Sequence, residues 1–518
     1  MTLLALIVVP YLQTTTNLTN ASMTNAILPV DIITADAPIA IGSDAELVAA
    51  GFPGSGTSGD PYRIENLNIV LAGGETGIYI TGLTQSNSYV TIRNCTITGG
   101  SYGVNADSNI AQRVRVWNNT FSGNEVAIRQ AHSASVEAMN NTIDNCDYGI
   151  RFYDCNNSFA YNNTITNCGH GIYVNYCIHM FIKFNDVSSC SNYGILEEYS
   201  DEIVMQYNVV SNCGRGIEAY STIDPYVGYN NVSDCSSYGI FIRYSDYARV
   251  GGNNFHACGL GVWDTNVEDL LTLQITSNYI DDNPIYYAEN VTDYNKWTGA
   301  SQFILVNCSN VQISSQQWLS SSLYMAISLH FCTDIDIRYS YINDAFYGIV
   351  TNGGEDIKIY NNTLQNNNIG VAIQNTDGGF IRENAFSDGT YAIYFENGVN
   401  DFDIYQNNLQ TFSNYGMLIT STTNTRIYHN NFFDCGGGSY GYDDGTNTWY
   451  NTTLQEGNFW ENWGGSGTYA ISGGAQVDMY PLSEPYEVII VSEYTLLSWF
   501  AVIFLAIIPA LVIYIKKR

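Results

Sequence analysis

The chain is 518 residues long and carries 49 acidic against 18 basic side chains, a formal net charge of −31. This excess of carboxylates disfavours nucleic-acid binding, because attraction to phosphates requires clustered Lys and Arg. Charged residues make up 13% of the chain, about half the usual share, whereas 45% hydrophobic residues can form a large core. The surface must therefore be mainly neutral and polar, which suits stacked β-turns better than charged helices.

Residues 1–43 precede any repeat. An apolar run from Leu3 to Leu12 is too short to cross a bilayer and lacks the basic residues that begin a secretory signal peptide. We interpret residues 1–43 as a signal remnant and N-terminal segment.

A repeat of 22 or 23 residues follows. Its first marker is an Asn unit, which recurs as NNTF at 118, NNTI at 140 and 162, NDV at 185, NVV at 208 and NNF at 253. Its second marker is a Gly before an aliphatic residue, as in Gly149-Ile150, Gly171-Ile172 and, after a divergent middle, Gly348-Ile349. Apolar residues alternate between the markers, as they do in strands.

The repeat predicts an all-β fold, a right-handed single-stranded parallel β-helix over residues 44–440. A rung of three short strands cannot bury its own inner face, but rungs stacked about 4.8 Å apart bury one another. About sixteen rungs between Ile64 and Tyr440 give a rod of roughly 75 Å. We expect a divergent insertion at about 265–325 and a C-terminal cap at 441–483.

Eleven of the twelve cysteines fall into two columns of the repeat. Seven share one register and four lie eight residues before the Asn unit, whereas Cys95 stands apart: Cys146, Cys168, Cys190, Cys213, Cys235, Cys258 and Cys435, then Cys155, Cys177, Cys308 and Cys332. Buried, stacked free thiols are the favoured interpretation, ahead of disulfides and of a metal site. The Asn column is likewise interpreted as a ladder of side-chain amides bonded from rung to rung.

A tyrosine recurs three or four residues after successive Gly-Ile pairs, at Tyr153, Tyr176, Tyr199, Tyr220 and Tyr244. These rings either stiffen a corner as an aromatic stack or form a stripe on which sugar rings bind. The sequence leaves both open, because the direction of a corner residue is ambiguous.

Two carboxylates are candidate catalytic residues. Glu197 occupies a column otherwise apolar, and Asp264 is assigned to the same column; burial there would raise the pKa as active sites require. A local bulge that turns Glu197 outward is the favoured alternative. Glu197 would then join Glu198, Asp201 and Glu202 in an acidic group that is the best candidate for a calcium site.

Twelve Asn-x-Ser/Thr sequons permit glycosylation outside a cell. The candidate acceptors within the predicted β-helix and cap are Asn94, Asn118, Asn140, Asn162, Asn231, Asn290, Asn361 and Asn451.

The C-terminus carries the strongest local signal. After a juxtamembrane linker at 484–495, twenty uncharged residues run from Leu496 to Ile515, the length that crosses a bilayer. The basic residues 516–518 follow at once, and positive flanks remain cytoplasmic. We therefore expect a single-pass protein of the cell membrane, with the lipid bilayer as a partner, the bulk of the chain extracellular and the C-terminus cytoplasmic.

Three motifs beyond the rungs indicate a family. They are GFPGSGTSGDPYRIENLNI at 51–69, NYIDDNPIYYAEN with FILVNCSNVQI at 278–313, and GNFWENWGG through DMYPL at 457–482. With them the chain resembles archaeal surface proteins with NosD-like right-handed β-helix domains. The resemblance implies the fold and an extracytoplasmic setting. NosD relatives are associated with copper delivery, but the six histidines are scattered and no soft-ligand motif is present, so copper handling is disfavoured.

Two functions from different classes remain open. The first is a non-enzymatic surface module that binds glycans or envelope proteins, or builds part of the envelope. The second is a carbohydrate-active lyase or hydrolase, which the scarcity of lysine and the lack of a paired-carboxylate motif disfavour. The sequence implies no cofactor other than the candidate calcium and no nucleic-acid partner.

Overall fold

The computed structural model describes residues 35–490, apart from 109, 111–112, 134–135, 296–298, 319–322 and 437–438. These residues form an all-β, right-handed parallel β-helix of about sixteen turns, which confirms the predicted fold. The predicted span 496–515 and most of the N-terminal segment lie outside the described residues. Within the described part, no helix is long and apolar enough to cross a bilayer.

A first stack contains three parallel ten-stranded sheets, one on each side of the coil. Sheet 1 contains Ile39–Ile41, Thr76–Ile80, Tyr102–Asp107, Val126–Ala131, Tyr148–Tyr153, His170–Asn175, Tyr193–Glu198, Arg215–Tyr220, Ile240–Arg243 and Leu260–Trp263. Sheet 2 contains Tyr62–Glu65, Val90–Arg93, Val114–Trp117, Val136–Met139, Phe159–Tyr161, Phe181–Lys183, Val204–Gln206, Tyr226–Gly228, Arg249–Gly251 and Gln274–Thr276. Sheet 3 contains Asn68–Leu71, Thr96–Gly99, Thr120–Ser122, Thr142–Asp144, Thr164–Thr166, Asp186–Ser188, Val209–Ser211, Asn231–Ser233, Asn254–His256 and Tyr279–Ile280.

A second stack follows, and three of its strands are long enough to cover two sides of the coil. Its strands on those two sides are Asn283–Glu289, Thr292–Tyr294, Gln302–Val306, Ser309–Ser314, Met325–Arg338, Tyr347–Tyr360, Ile369–Arg382, Tyr391–Glu396, Asn400–Tyr405, Met417–Ile419, Thr423–Tyr428, Gly441–Asp443 and Thr446–Thr448. On the third side lie Gln317–Trp318, Tyr341–Asn343, Thr363–Gln365, Ala385–Gly389, Asn408–Phe412, Asn431–Cys435 and Phe459–Trp460. A short antiparallel pair, Tyr469–Ala470 and Val477–Asp478, completes the strands.

The sheets extend beyond the predicted limits of 44 and 440. Ile39–Ile41 pairs with Thr76–Ile80 at one end, and Gly441–Asp443 pairs with Met417–Ile419 at the other. A helix at Asp44–Ala49, which buries Leu47, packs against the first rung. The repeat markers are absent from these end strands, so the sequence pattern could not place them.

The predicted insertion is only partly an interruption. A second helix, Val267–Leu270, leaves the coil, and Tyr279–Ile280 then pairs antiparallel with Asn283–Glu289. The coil resumes at once with a shorter rung, because Tyr286 pairs with Phe303, 17 residues later. The first and second stacks therefore meet at this segment, which we call the junction.

Each corner relies on residues with positive φ. Asn140 and Asn162 take φ of 54° and 53° before the sheet 3 strands, a backbone region that Asn tolerates better than most residues. At the same corner of later rungs Phe184, Tyr207 and Tyr229 have similar φ. Their rings stack at centroid distances of 5.1 and 5.2 Å, which offsets a less favourable backbone.

The predicted asparagine ladder is buried inside this corner. In a typical step, Nδ2 of Asn141 donates to Oδ1 of Asn163 at 2.9 Å and to the carbonyl of Val116 at 2.9 Å. The backbone N–H of Asn141 also donates to Oδ1 of Asn163. A file of this kind satisfies buried polar groups at every turn: Asn119, Asn141, Asn163, Asn185, Asn208, Asn230, Asn253 and Asn278, then Asn362, Asn384, Asn407, Asn430 and Asn458.

The last ladder residue meets a carboxylate instead of another amide. The backbone N–H of Asn458 donates to Oδ2 of Asp478 at 2.7 Å, and the indole N–H of Trp460 donates to the same oxygen at 2.9 Å. Tyr469 stacks on Trp460 at 4.1 Å. These residues close the C-terminal end of the core.

All twelve cysteines are buried free thiols. The two predicted columns are present, since the carbonyl of Cys146 accepts from Gly169, next to Cys168, and the pattern repeats in the following rungs. Stacked thiols are therefore confirmed and disulfides are not formed. Burial in an apolar corner explains why cysteine recurs there.

Candidate functional site

Glu197 points into the core. It pairs in regular register with Val174 on one side and Ala219 on the other, and its side chain is 0% exposed. Neither carboxylate oxygen has a hydrogen-bond partner. Burial among apolar neighbours raises the pKa of Glu197 well above its usual value. The favoured outward bulge was wrong, because the strand register is continuous through this residue.

The predicted calcium group is not assembled. Glu198 lies on the outer face, where the hydroxyl of Tyr173 donates to it at 2.7 Å. Glu202 is exposed and pairs with His179 at 2.7 Å. Asp201 lies at a bridge between neighbouring rungs, and Glu197 is in the core. In the part of the chain that the structure describes, no three His, Cys, Asp or Glu residues could hold a metal ion.

Asp264 does not share the column of Glu197. The register aligns Ala219 with Ile242 and Ile242 with Val262, so Asp264 lies two residues beyond that column. It is buried, accepts a hydrogen bond from the backbone of Asn266 at 3.0 Å, and burial raises its pKa. The assignment failed because the rung before Leu260 is shorter than its predecessors. The two carboxylates cannot act on one substrate bond.

The five predicted tyrosines form an outward stack at one corner. Tyr176 and Tyr199 are nearly parallel at 5.4 Å, and Tyr153, Tyr220 and Tyr244 join them edge to face at 5.4 to 5.9 Å. The rings are exposed or half-buried, with Tyr176 at 52%. Only Tyr176 and Tyr199 cover each other's faces, and the other contacts are edge to face, so the five rings do not share one flat surface. That arrangement suits a stiff corner better than a platform for sugars.

The candidate glycosylation sites differ in accessibility. Asn94, Asn118, Asn140, Asn162, Asn231 and Asn290 are exposed, Asn451 is half-buried and Asn361 is buried. Several of the exposed ones form an outer amide file, in which Nδ2 of Asn118 donates to Oδ1 of Asn94 at 2.8 Å.

A cleft lies at the junction, outside these predicted sites. Leu260–Trp263 is the last strand of sheet 1, so the outer side chains of the final rungs face the second stack instead of a further strand. The cleft has a volume of about 270 Å³, near the lower end of the roughly 300–1,000 Å³ typical of ligand pockets. Its aromatic lining consists of Tyr238, Phe241, Tyr244, Trp263, Tyr324 and Tyr347.

A buried glutamine holds the cleft together. Oε1 of Gln302 accepts from the backbone N–H of Leu260 at 3.1 Å, and its Nε2 donates to the carbonyls of Leu260 at 2.6 Å and of Met325 at 2.9 Å. The side chain thus takes the place of the backbone ladder that sheet 1 lacks beyond Leu260. Rings also meet across the junction, with Tyr238 and Tyr324 at 3.9 Å.

Two arginines line the cleft above one carboxylate. Arg215 and Arg243 have 38% and 32% exposed side chains, whereas Glu218 between them is 1% exposed. Nη1 of Arg215 and Nη2 of Arg243 lie 3.2 and 3.1 Å from the two oxygens of Glu218. The guanidinium of Arg243 also lies over the ring of Tyr220 at 4.4 Å. The contacts with Glu218 and Tyr220 therefore hold the two arginines in place, and both arginines line the cleft.

Of the residues predicted to bind a ligand, only Tyr244 lines this cleft. The others were missed because they come from different columns and from both stacks, so no repeat marks them. A signal did exist: Arg215 directly precedes the Gly216-Ile217 marker, and Arg243 lies three residues after Ile240 of the Gly239-Ile240 marker. In a chain with few basic residues, two arginines at these positions indicate a basic patch on the surface.

Fold and surface together define a parallel β-helix protein with an aromatic and basic cleft on its side wall. The sequence profile of the family described as "Periplasmic copper-binding protein (NosD)" matches residues 115–256 and 288–465, more than half of the chain. The chain therefore belongs to the NosD family. No curated protein matches the sequence significantly.

Solved structures with similar architecture include three carbohydrate-active proteins. The A-module of Azotobacter vinelandii mannuronan C-5 epimerase AlgE4 is 14% identical, with 70% of this chain and 89% of that chain covered and a TM-score of 0.22. The catalytic domain of a GH87 α-1,3-glucanase in complex with nigerose is 11% identical, with 77% and 64% covered and a TM-score of 0.29. The periplasmic alginate epimerase AlgG is 12% identical, with 73% and 80% covered and a TM-score of 0.18.

The described residues do not fit the copper that the family description names. His132, His179, His256 and His429 each pair with a single carboxylate on a different rung, and His330 is buried against Ser328. The thiols, which are the soft ligands, are buried in the core. The function proposed below therefore does not involve copper.

Proposed function

We propose that the protein is a glycan-binding module of the cell surface and that the junction cleft is its central subsite. The cleft combines aromatic rings, four of them half-buried or exposed, with hydroxyl and guanidinium donors, the two kinds of group that hold a sugar ring by its faces and by its hydroxyls. The observation that carries the proposal is the convergence of six aromatic rings and two arginines at the junction, where the regular stack is broken.

The setting of this module is part of the proposal. We propose that residues 496–515 anchor the chain in the membrane of an archaeal cell, with the β-helix outside and the C-terminus in the cytoplasm. Exposed sequon asparagines on one corner are compatible with such a setting. The cleft lies on the side wall, so a polymer could enter it while the rod remains anchored at one end.

Binding is favoured over hydrolysis by the chemistry of the lining. Hydrolysis of a glycosidic bond uses two carboxyl groups about 5 to 9.5 Å apart across the bond. The described lining residues include no Asp or Glu, and Glu218 beneath them is occupied by both arginines. Glu197 and Asp264, the carboxylates predicted from sequence, lie outside the cleft.

Binding of the full chain to a panel of soluble polysaccharides tests the proposal. We expect at least one polymer to bind, and Trp263→Ala to weaken it by roughly tenfold or more, because this ring is central to the lining. Trp117→Ala is the matched control, since Trp117 is also half-buried but lies on sheet 2, away from the cleft.

Two results would contradict the proposal. One is equal binding by the Trp263 and Trp117 variants, which would move the site elsewhere on the rod. The other is failure of every polymer to bind the folded wild-type chain. Release of shortened products during the same incubations would instead establish the enzyme alternative.

A further inference from the structure

The charge of the cleft is opposite to that of the chain. The whole sequence carries 49 acidic and 18 basic residues, yet the described lining holds two arginines and no carboxylate. The one carboxylate in contact with the arginines, Glu218, is buried beneath them. The surface that a ligand meets is therefore locally positive on an acidic rod.

The arrangement leaves hydrogen-bonding capacity for an anion. Each guanidinium has five N–H donors, and Glu218 contacts one terminal nitrogen of each arginine. Nη1 of Arg215 also bonds the hydroxyl of Tyr193, and Nε of Arg243 is buried without a hydrogen-bond partner, so an anion would be bound by the terminal nitrogens. A single carboxylate neutralises one of the two cations, so one positive charge remains without a counter-charge in the lining.

The surroundings strengthen this remaining charge. Phe241 and Tyr220 lie within 5.7 and 4.4 Å of the Arg243 guanidinium, and apolar rings lower the local dielectric constant. Burial also raises the pKa of Glu218 despite its two arginine neighbours. Bidentate contacts between a guanidinium and a carboxylate or sulfate are stronger than neutral hydrogen bonds under such conditions.

We propose that the cleft selects an acidic sugar, with Arg215 and Arg243 binding the anionic group of one residue of the polymer. This inference rests on the proposed glycan-binding function and adds the substrate class to it. The anion is a uronate carboxylate or a sulfate ester, which present similar oxygens to the arginine pair. The aromatic lining contacts the ring, and the arginines supply the selection for charge.

The experiment compares polygalacturonate with the same polymer after complete methyl esterification, which keeps the sugar and removes the charge. We expect the full chain to bind the acid form roughly 10- to 100-fold more tightly than the ester. Dextran sulfate and dextran form a second pair that reports on sulfate. Preference for dextran sulfate alone would identify the anion as a sulfate ester and would still support the inference.

The variants are chosen so that no buried charge is left unpaired. Arg215→Gln and Arg243→Gln combined with Glu218→Gln remove both cations together with their shared partner, and we expect this triple variant to abolish the preference for the charged polymer. Arg243→Lys keeps the charge without the planar fork, and we expect partial retention of the preference. Arg249→Gln, on sheet 2 with its own partner Asp224, is the control and should not change it.

The outcomes separate this inference from the function on which it rests. Equal affinity for acid and ester, with loss of both in Trp263→Ala, would overturn selection by charge and leave glycan binding in place. An unchanged preference in the triple variant would also overturn the role of the arginine pair. Absence of binding to all four polymers would contradict both glycan binding and the selection of an acidic sugar.

Discussion

The first stack and the junction show opposite uses of the same repeat. From Tyr102 to Arg243 the strand positions have equivalents in the rungs before and after them, so stacked asparagine amides satisfy one another's hydrogen bonds and stacked rings cover one another. At the junction this continuity ends, and side chains from unlike columns meet. A perfect repeat stabilises a rod by stacking like residues. The interruption brings unlike side chains together around a cleft, which is why the candidate site lies where the pattern fails.

The ladder gives the largest expected effect. Asn253→Ala removes four hydrogen bonds of its amide, to Asn278, to the carbonyl of Val227 and from the backbone and amide of Asn230. Because the partners stay buried, we expect the free energy of unfolding to fall by about 4 kcal/mol. Asn254→Ala is the control, since that amide is exposed and makes one long bond. Denaturant unfolding measures both; equal losses would mean that the ladder adds nothing specific.

The junction should be weakened by loss of a single side chain. Gln302→Ala leaves the N–H and carbonyl of Leu260 and the carbonyl of Met325 without these bonds, and we expect a loss of about 3 kcal/mol together with weaker polymer binding. The exposed Gln274, changed to Ala, should have little effect on either. A variant that unfolds earlier but binds as well as wild type would show that the cleft does not depend on this bridge.

Glu197 is a buried carboxyl without a hydrogen-bond partner inside the regular first stack. The carboxyl titrates near 4.5 in the unfolded chain and at higher pH in the folded chain. The unfolded state therefore loses its proton first, and the free energy of unfolding should fall as the pH rises above about 4.5 until the folded pKa is passed. Below that range the contribution of Glu197 is fully present.

Glu197→Leu removes this dependence and should stabilise the protein by about 2 kcal/mol at neutral pH, with a smaller gain at pH 4. The exposed Glu125, changed to Leu, serves as the control. Unfolding curves at several pH values provide the measurement. A gain that does not change with pH would indicate that packing, and not ionisation, is responsible.

The thiol columns should give the smallest effect on stability. Cys168→Ala removes one buried sulfur from a continuous column, and we expect a loss of about 1 kcal/mol. A thiol reagent should modify few groups in the folded chain and all twelve in denaturant without reductant, because each cysteine is free and buried. Fewer than twelve reactive thiols after denaturation would reveal disulfides.

The sequence correctly predicted the features of the fold that depend on regular spacing. The Asn and Gly markers predicted the rung length, the columns of cysteine and the ladder of amides bonded from rung to rung, since equal spacing places like residues above one another. Spacing alone does not show whether a side chain points into the core or toward solvent. The outward direction of Tyr176 and the inward direction of Glu197 were therefore found only in the structure. Asp264 was misplaced because one shortened rung shifts every later column. The cleft could not be found by periodicity, because its residues share no column.

The amide ladder gives the rod an electrical polarity. In every step the Nδ2 of an asparagine points toward the next rung and its Oδ1 toward the previous one, as between Asn141 and Asn163. The side-chain dipoles therefore add along the axis, with their positive pole at the C-terminal end. Asp478 lies at that pole and accepts from Asn458, the last amide. Anions also bind at helix N-termini, where they neutralise aligned backbone dipoles. In this β-helix the aligned dipoles belong to side chains.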